Sequence, residues 1–155
     1  MTSQPSDPAT PRFRLAVIDD HPLVRQGIVE TLSDDHAFDV VGAGGSADEG
    51  VAIARELQPD LIFLDVNLPG GGVDAARRIH AAMPRVKIAM FSFRQDLAIV
   101  RACLTAGACG YLVKGISGSQ LRRVTHALIA GETVIDAEVA RRLEQDGPGG
   151  ERALE

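Results

Sequence analysis

Five short apolar runs, spaced at fairly regular intervals, most constrain how this chain folds. They are residues 15–18, 38–43, 61–64, 86–91 and 110–113. Each run has the length of one strand and is almost continuously apolar, which is typical of parallel strands covered by helices on both faces. The runs therefore predict a parallel sheet that is buried on both sides.

The segments between the runs have the apolar spacing of helices. Val24, Ile28 and Leu32 are spaced i, i+4, i+8, and two later segments repeat apolar residues at i, i+3, i+7. Ser46, followed three residues later by Glu49, matches the capping box that begins a helix. This alternation predicts an α/β fold, namely a flavodoxin-like (βα)5 doubly wound sheet of five parallel strands in the order 2-1-3-4-5.

Composition divides the chain into three parts. Residues 1–11 contain three of the eight prolines and are predicted to be a disordered leader. Residues 12–131 hold the five strand–helix units and form the predicted folded domain. Residues 132–155 are expected to contain a short helix, capped by Asp136, and then a flexible glycine-rich linker.

The composition also argues against several classes of protein. The sequence has no run of 18 apolar residues and no secretory signal, so we expect a cytoplasmic protein with no membrane partner. Its two cysteines lack the spacing of a zinc site or a disulfide framework. A net charge of −5 argues against DNA binding by this chain itself.

Three carboxylates stand where predicted strands end. Asp19 and Asp20 follow the first apolar run, and Asp65 follows the third. In the 2-1-3-4-5 order these two strands are neighbours at the switch point, where open α/β sheets bind ligands. We therefore expect the three carboxylates to converge, and such a cluster of hard oxygen ligands suits Mg²⁺.

Two further polar residues follow the remaining strands at the same edge of the sheet. Ser92 follows the fourth run and Lys114 follows the fifth. A hydroxyl donor, an ammonium group and a divalent ion around one carboxylate are what an aspartyl phosphate requires, because the metal and the lysine neutralise phosphoryl charge. Asp65 is therefore predicted to be a nucleophile.

These residues lie in segments that resemble a known family. Residues 17–25 (VIDDHPLVR), 64–70 (LDVNLPG) and 106–114 (AGACGYLVK), together with Ser92, resemble the receiver domain of two-component response regulators. The forms DDHPLVRQG and GYLVKG resemble the NarL/LuxR-type transcriptional branch in particular. The resemblance covers residues 12–131, which we interpret as a receiver domain.

The resemblance implies a phosphorylation role for four residues. Asp65 resembles the phosphoacceptor that takes a phosphoryl group from a histidine kinase, and Ser92 and Lys114 resemble the pair that contacts the phosphoryl oxygens. Tyr111 resembles the aromatic residue that swings inward and alters the surface made by the fourth helix, fifth strand and fifth helix. The domain is therefore expected to be a switch rather than an enzyme, with only self-phosphorylation and self-dephosphorylation as its chemistry.

The resemblance also implies a set of Mg²⁺ ligands. Asp20 resembles the direct ligand beside Asp65, and Asp19 resembles the acid that holds the metal through water. Asn67 stands where the family lends a backbone carbonyl to the metal. The cofactor expected from the resemblance is thus Mg²⁺.

The expected partners follow from the same resemblance. A sensor histidine kinase is the expected phosphodonor. A LuxR-type receiver is expected to continue, through a connector such as residues 132–155, into a DNA-binding domain that this chain does not contain. The chain would then be either the regulatory half of a transcription regulator or a receiver-only form.

A homodimer is expected through the first and fifth helices or through the face of the fourth helix, fifth strand and fifth helix, and the sequence does not choose between these two surfaces.

Three departures from the family pattern keep a second interpretation open. The glycine loop at residues 69–72 is one residue short, which is expected to loosen it over the metal. Phe93 replaces a small residue and is expected to narrow access to Asp65 or to limit the swing of Tyr111. Gly115 stands after Lys114, where many receivers have a proline that is preceded by a cis peptide bond. The alternative is a degenerate receiver that acts as a phosphorylation-independent interaction module.

Two enzyme classes with related folds are disfavoured by the residues. An FMN protein needs a phosphate loop of Ser, Thr and Gly after the first strand, whereas Asp19 and Asp20 would repel that phosphate. A dehalogenase-type aspartyl phosphatase needs a second aspartate two residues after its nucleophile, and this chain has Asn67 there.

The histidines are predicted to lie on the surface. His21 precedes Pro22, so it is interpreted as a surface residue at the start of a helix rather than as a ligand or base. Asp19 and Asp20 would also suit a turn and N-cap ahead of Pro22. Three other histidines have no partner that the sequence reveals and are expected to be exposed: His36, His80 and His126.

Overall fold

Six strands alternate with six helices within residues 12–146, the part of the chain that this computed structural model describes. The strands are β1 (Phe13–Ile18), β2 (Phe38–Gly44), β3 (Leu61–Asp65), β4 (Lys87–Ser92), β5 (Gly110–Val113) and β6 (Val134–Ile135). The helices are α1 (Pro22–Ser33), α2 (Ala47–Leu57), α3 (Gly72–Ala82), α4 (Leu97–Thr105), α5 (Gly118–Ile129) and α6 (Ala137–Asp146). The predicted leader at 1–11 and the linker after residue 146 lie outside the described residues.

The strands form one parallel sheet in the order β2-β1-β3-β4-β5-β6. The predicted α/β class and the 2-1-3-4-5 order are thus confirmed, and β6 is an addition at the edge. Its two residues are too few to form an apolar run. It is held by main-chain hydrogen bonds, from Val134 N to the Cys109 carbonyl and from Asp136 N to the Tyr111 carbonyl.

The core has two halves, one on each face of the sheet. Helices α2, α3 and α4 and the buried Val139 of α6 pack on one face, and α1 and α5 pack on the other. Every residue of β3 is buried, as the unbroken apolar run predicted, with Phe63 on the α1–α5 side and Leu64 on the opposite side. Each large side chain buried in this way contributes roughly 1.5–3 kcal/mol of transfer free energy.

Two of the helix starts follow their predicted caps. Ser46 Oγ accepts a hydrogen bond from Glu49 N at the start of α2. Asp136 Oδ2 accepts one from Val139 N at the start of α6. These side chains satisfy main-chain donors that a helix leaves unpaired in its first turn.

Helix α6 lies against α4 and the loop before it. Its Val139 is fully buried in the core beneath α4. Arg142 Nη1 donates to the Gln95 carbonyl at 2.8 Å, and Arg101 of α4 forms an ion pair with Asp146 at 2.6 Å. The far end of the described chain is thereby attached to the β4–α4 loop. No helix formed by residues 12–146 has the length and apolar character needed to cross a membrane.

Candidate functional site

Acidic side chains meet a lysine at the carboxyl edge of the sheet. Asp19 directly follows β1, Asp65 ends β3, and Lys114 directly follows β5. Parallel strands end at one edge, and β1 and β3 are neighbours, so their terminal carboxylates face each other as predicted. Asp19 and Asp65 are each almost fully buried, at 1% and 2% exposure, in a position that normally disfavours charge.

Lys114 supplies the positive charge of this pocket. Its Nζ lies 2.8 Å from Asp19 Oδ2 and 3.2 Å from Asp65 Oδ2, and its side chain is buried. Burial acts to lower the pKa of Lys114, but its close contact with the Asp19 carboxylate and the negative charges of Asp65 and Asp19 outweigh it, so its pKa is raised. Lys114 therefore remains an ammonium ion at neutral pH.

The pocket nevertheless leaves hydrogen-bonding capacity unused. Within the described residues, Asp19 Oδ2 and Asp65 Oδ2 are buried without a hydrogen bond of regular geometry, although Lys114 Nζ is close to both. The other oxygen of each carboxylate accepts a main-chain hydrogen bond, from His21 N and from Asn67 N respectively. One ammonium ion thus faces a cluster of carboxylates, which favours a further cation.

The donor set fits a divalent metal ion. Asp19, Asp20, His21 and Asp65 each offer one ligand atom, and these four atoms lie within 4.8 Å of one another. The predicted ligands Asp19, Asp20 and Asp65 are therefore brought together. Asn67 is exposed, and its N–H donates to Asp65 Oδ1 at 3.1 Å. The buried oxygens without hydrogen bonds and the three carboxylates are of the kind that Mg²⁺ prefers.

Ser92 and Tyr111 are joined through the loop after β4. Ser92 is fully buried and its Oγ accepts a hydrogen bond from Arg94 N at 2.9 Å. Tyr111 is also fully buried, and its hydroxyl donates to the Arg94 carbonyl at 2.7 Å. Burial raises the pKa of the Tyr111 phenol. The tyrosine thus occupies an inward position, and one loop residue links it to the serine hydroxyl.

The side chain of Phe93 does not keep Tyr111 out of that inward position. Phe93 is 68% exposed, and its ring centroid lies 5.3 Å from Lys114 Nζ. The aromatic ring therefore stands beside the lysine at the rim of the pocket.

Hydrogen bonds tie down the short glycine loop. Gly71 N donates to the Leu68 carbonyl and Gly72 N to the Val66 carbonyl. A Cβ at Gly72 would lie 2.1 Å from the Asp65 carbonyl oxygen, so this close approach requires glycine. The loop thereby begins α3 directly against the end of β3.

The peptide bond before Gly115 is trans, unlike the cis bond that precedes the proline many receivers have at this position. Residues 12–146 contain no cis peptide bond, so the bond between Lys114 and Gly115 is trans. Gly115 has φ +107°, which a residue with a side chain rarely adopts.

The start of α1 corrects one expectation. His21, rather than Asp19 or Asp20, occupies the N-cap position, and its side chain makes no capping hydrogen bond. Asp19 instead forms the expected turn by accepting from His21 N, and Pro22 occupies the first turn, where its missing N–H carries no penalty. As predicted, the His21 side chain is largely exposed.

The sequence did not reveal two supporting contacts. Arg25 Nη1 donates to the Asp19 carbonyl at 2.6 Å and is 3.4 Å from the Gly44 carbonyl, so it holds the loop that carries the acids. His126, exposed as expected, pairs with Asp35 at 2.8 Å. In the sequence, only the position of Arg25 on α1, six residues after Asp19, indicated that it could contact the loop that carries the acids.

Comparison with known families identifies the family of this chain. A family model described as the response regulator receiver domain matches residues 15–126. This chain belongs to the receiver-domain family. The resemblance inferred from its motifs is thus confirmed.

Individual relatives extend the comparison. The response regulator GacA of Pseudomonas viridiflava is 35% identical over 132 residues, which cover 84% of this chain and 62% of GacA. The DNA-binding transcriptional activator DevR/DosR of Mycobacterium tuberculosis is 38% identical over 132 residues, with 84% and 60% covered. The receiver chain therefore spans about 60% of the length of these curated relatives.

A solved structure agrees with the predicted branch. The crystal structure of a LuxR-family two-component response regulator from Aurantimonas sp. SI85-9A1 has a TM-score of 0.83 and 29% identity to this receiver. The match covers 87% of this chain and 97% of that one. The similarity thus includes nearly all of the fold described here.

Proposed function

We propose that this receiver accepts a phosphoryl group on Asp65, with Mg²⁺ bound beside it, and controls a transcriptional output. The observation that carries the proposal is the buried Asp65 Oδ2, which lacks a regular hydrogen bond and lies 3.2 Å from Lys114 Nζ. A purely structural carboxylate in such a position would be expected to have its hydrogen bonds completed.

The chemistry follows from the positions of the side chains. An Asp65 oxygen attacks the phosphorus of a phosphohistidine on a sensor histidine kinase, so that an O–P bond forms as the N–P bond breaks. Lys114 stabilises the charge on the transferred phosphoryl group. Bound Mg²⁺ would neutralise further phosphoryl charge, with Asp20 and Asp65 as direct ligands, Asp19 acting through water and Asn67 lending its carbonyl.

The response to phosphorylation is proposed to pass through the β4–α4 loop. Ser92 Oγ already accepts from Arg94 N, so its own proton is available for a phosphoryl oxygen. A shift of Ser92 toward that oxygen pulls on Arg94, whose carbonyl holds the Tyr111 hydroxyl. The surface formed by α4, β5 and α5 would then change with the phosphorylation state.

The proposed output is transcription, through a DNA-binding domain beyond this chain. Support comes from the relative named as a DNA-binding transcriptional activator and from the LuxR-family structural neighbour. Residues 132–155 would serve as the connector, and a homodimer would use α1 and α5 or the α4-β5-α5 face. The proposed location is the cytoplasm, where the kinase's phosphohistidine would be available, and the domain has no substrate turnover of its own.

Intact mass spectrometry tests the phosphoacceptor directly. The protein is incubated with acetyl phosphate and Mg²⁺, and we expect one added phosphoryl group that is absent in Asp65→Asn. Asp39→Asn removes an exposed carboxylate on β2 and should phosphorylate normally.

Two results would contradict the proposal. The absence of an adduct, or an adduct that persists in Asp65→Asn, would favour the degenerate receiver that acts without phosphorylation. An adduct that forms equally well in the presence of a chelator would remove Mg²⁺ from the mechanism.

A further inference from the structure

His21 lies beside the acidic pocket, against carboxylate oxygens that Lys114 does not approach. Its Nδ1 lies 3.2 Å from Asp20 Oδ1 and 3.4 Å from Asp19 Oδ1. Lys114 approaches Asp19 through the other oxygen, Oδ2. The imidazole and the ammonium group therefore contact different atoms of Asp19 and do not compete for one position.

The backbone holds His21 in place while its ring remains free to adjust. His21 N donates to Asp19 Oδ1 at 2.9 Å, and its carbonyl accepts from Arg25 N at 2.9 Å. The side chain is 65% exposed, so a change of rotamer meets little packing resistance. The ring is thus anchored close to the acids and can turn toward a bound ion.

The spacing of the donor atoms suits a single ion. Ligands that lie about 2.0–2.3 Å from a metal are at most about 4.6 Å apart. The four donor atoms of Asp19, Asp20, His21 and Asp65 lie within 4.8 Å of one another. Small side-chain adjustments therefore allow Asp20, His21 and Asp65 to reach one ion directly, with Asp19 acting through water. The Oδ2 atoms of Asp19 and Asp65 are buried beside the ammonium group of Lys114, and that one positive charge does not balance two buried carboxylates.

We infer that His21 supplies a nitrogen ligand to this pocket and gives it a preference for first-row transition-metal ions, such as Mn²⁺, over Mg²⁺. Mg²⁺ is a hard ion that takes oxygen ligands, whereas an imidazole nitrogen suits transition-metal ions. A site made of three carboxylates alone would favour Mn²⁺ over Mg²⁺ only to the extent that the ordinary order of metal affinities does. The inference rests on the proposed function only in that the pocket must bind a divalent ion.

Binding measurements and pulsed electron paramagnetic resonance test the nitrogen ligand. The full chain is titrated with Mn²⁺ and, separately, with Mg²⁺, and the Mn²⁺ complex is examined for coupling to a directly bound ¹⁴N nucleus. We expect that coupling in the wild type and its loss in His21→Ala. The ratio of Mn²⁺ to Mg²⁺ affinity should fall at least about tenfold, since even outer-shell partners of a metal ligand commonly contribute that much.

A matched control uses a histidine at the other edge of the sheet. His36 is exposed and lies just before β2, so His36→Ala should retain both the nitrogen coupling and the affinity ratio. Circular dichroism confirms that each variant is folded. Asp20→Asn and Asp65→Asn should weaken the binding of both ions, because they remove oxygen ligands from the same pocket.

The outcomes separate this inference from the proposed function. Mn²⁺ binding that depends on Asp20 and Asp65 but shows no nitrogen coupling would overturn the role of His21 and leave the phosphoacceptor pocket intact. Nitrogen coupling that survives in His21→Ala would also overturn it, because another histidine would be the ligand. A wild-type protein that binds neither ion would overturn both proposals.

Discussion

A lysine with two aspartates and a histidine–aspartate pair stand at opposite edges of the same sheet. They differ in how completely the hydrogen-bonding capacity of their carboxylates is used. At the carboxyl edge, Lys114 faces Asp19 and Asp65, whose buried Oδ2 atoms lack regular hydrogen bonds. At the amino edge, His126 of α5 pairs with Asp35, and both oxygens of Asp35 are used, one by Ala37 N and one by His126. The second pair is also more exposed, at 47% and 22% for its side chains.

The difference is the one expected between a structural ion pair and a pocket with the proposed function. The amino-edge pair joins α5 to the turn before β2 and leaves its charges partly in water. An ion pair in that position costs little desolvation free energy and contributes little to stability. The pocket instead buries carboxylates, and neither packing nor main-chain donors fully offset the free-energy cost of that burial. Such a cost in stability is expected where a site keeps ligand positions available.

Replacing Lys114 should have the largest effect on stability. Lys114→Met leaves the pocket carboxylates buried without their counter-charge, so we expect the free energy of unfolding to fall by about 3 kcal/mol in the absence of divalent ions. Urea unfolding measures this, and added Mg²⁺ should recover part of the loss. Lys87, the only other lysine of the chain, lies at the opposite end of β4 and provides the control variant Lys87→Met. Equal effects of the two variants would show that the pocket charge does not matter to stability.

Replacing Asp65 should act in the opposite direction. Asp65→Asn removes one charge from the crowded carboxylates and leaves Lys114 paired with Asp19, so the free energy of unfolding should rise by about 1 kcal/mol in metal-free buffer. Urea unfolding with a chelator present measures the change, and Asp39→Asn is the surface control. A destabilised Asp65→Asn would contradict the view that this carboxylate is retained at the expense of stability.

Replacing Asp35 should have the smallest effect and a defined pH dependence. Burial acts to raise the pKa of Asp35, but the hydrogen bond from Ala37 and the interactions with His126 outweigh it, so its pKa lies below the usual 3.8. A carboxyl group of this kind stabilises the fold above its unfolded-state pKa, and that contribution is lost as the pH falls through the lower folded-state value. Asp35→Asn should therefore lower stability by less than about 1 kcal/mol at neutral pH.

Unfolding curves between neutral and acidic pH check this last prediction. The difference between wild type and Asp35→Asn should shrink as the pH falls below about 4, because Asp35 then loses its charge in the wild type. A difference that stays constant across this range would show that the charge of Asp35 has no part in the pair.

The elements that could be predicted from the sequence are those with a local signal. The apolar runs defined the first five strands, and the rule that parallel strands end at one edge brought Asp19, Asp65 and Lys114 together. The domain limits remain predictions, and so do the roles assigned to the site residues, namely Asp19, Asp20, Asp65, Asn67, Ser92, Tyr111 and Lys114.

The contacts that the sequence did not reveal join distant residues. His126 and Asp35 are 91 residues apart, and Arg142 and Gln95 are 47 apart. Such pairs depend on how helices pack on the sheet, and neither residue carries a local signal of its partner. Strand β6 was missed for a related reason, because two residues form a strand only beside an existing edge.

The inward Tyr111 has an optical consequence. The chain contains one tyrosine and no tryptophan, so the aromatic absorbance and the intrinsic emission at wavelengths above the phenylalanine range arise from this single ring. The ring's hydroxyl is bonded to the Arg94 carbonyl, and both properties respond to the polarity and hydrogen bonding of a phenol. An unlabelled solution of this protein is therefore its own spectroscopic probe of the loop that follows Ser92.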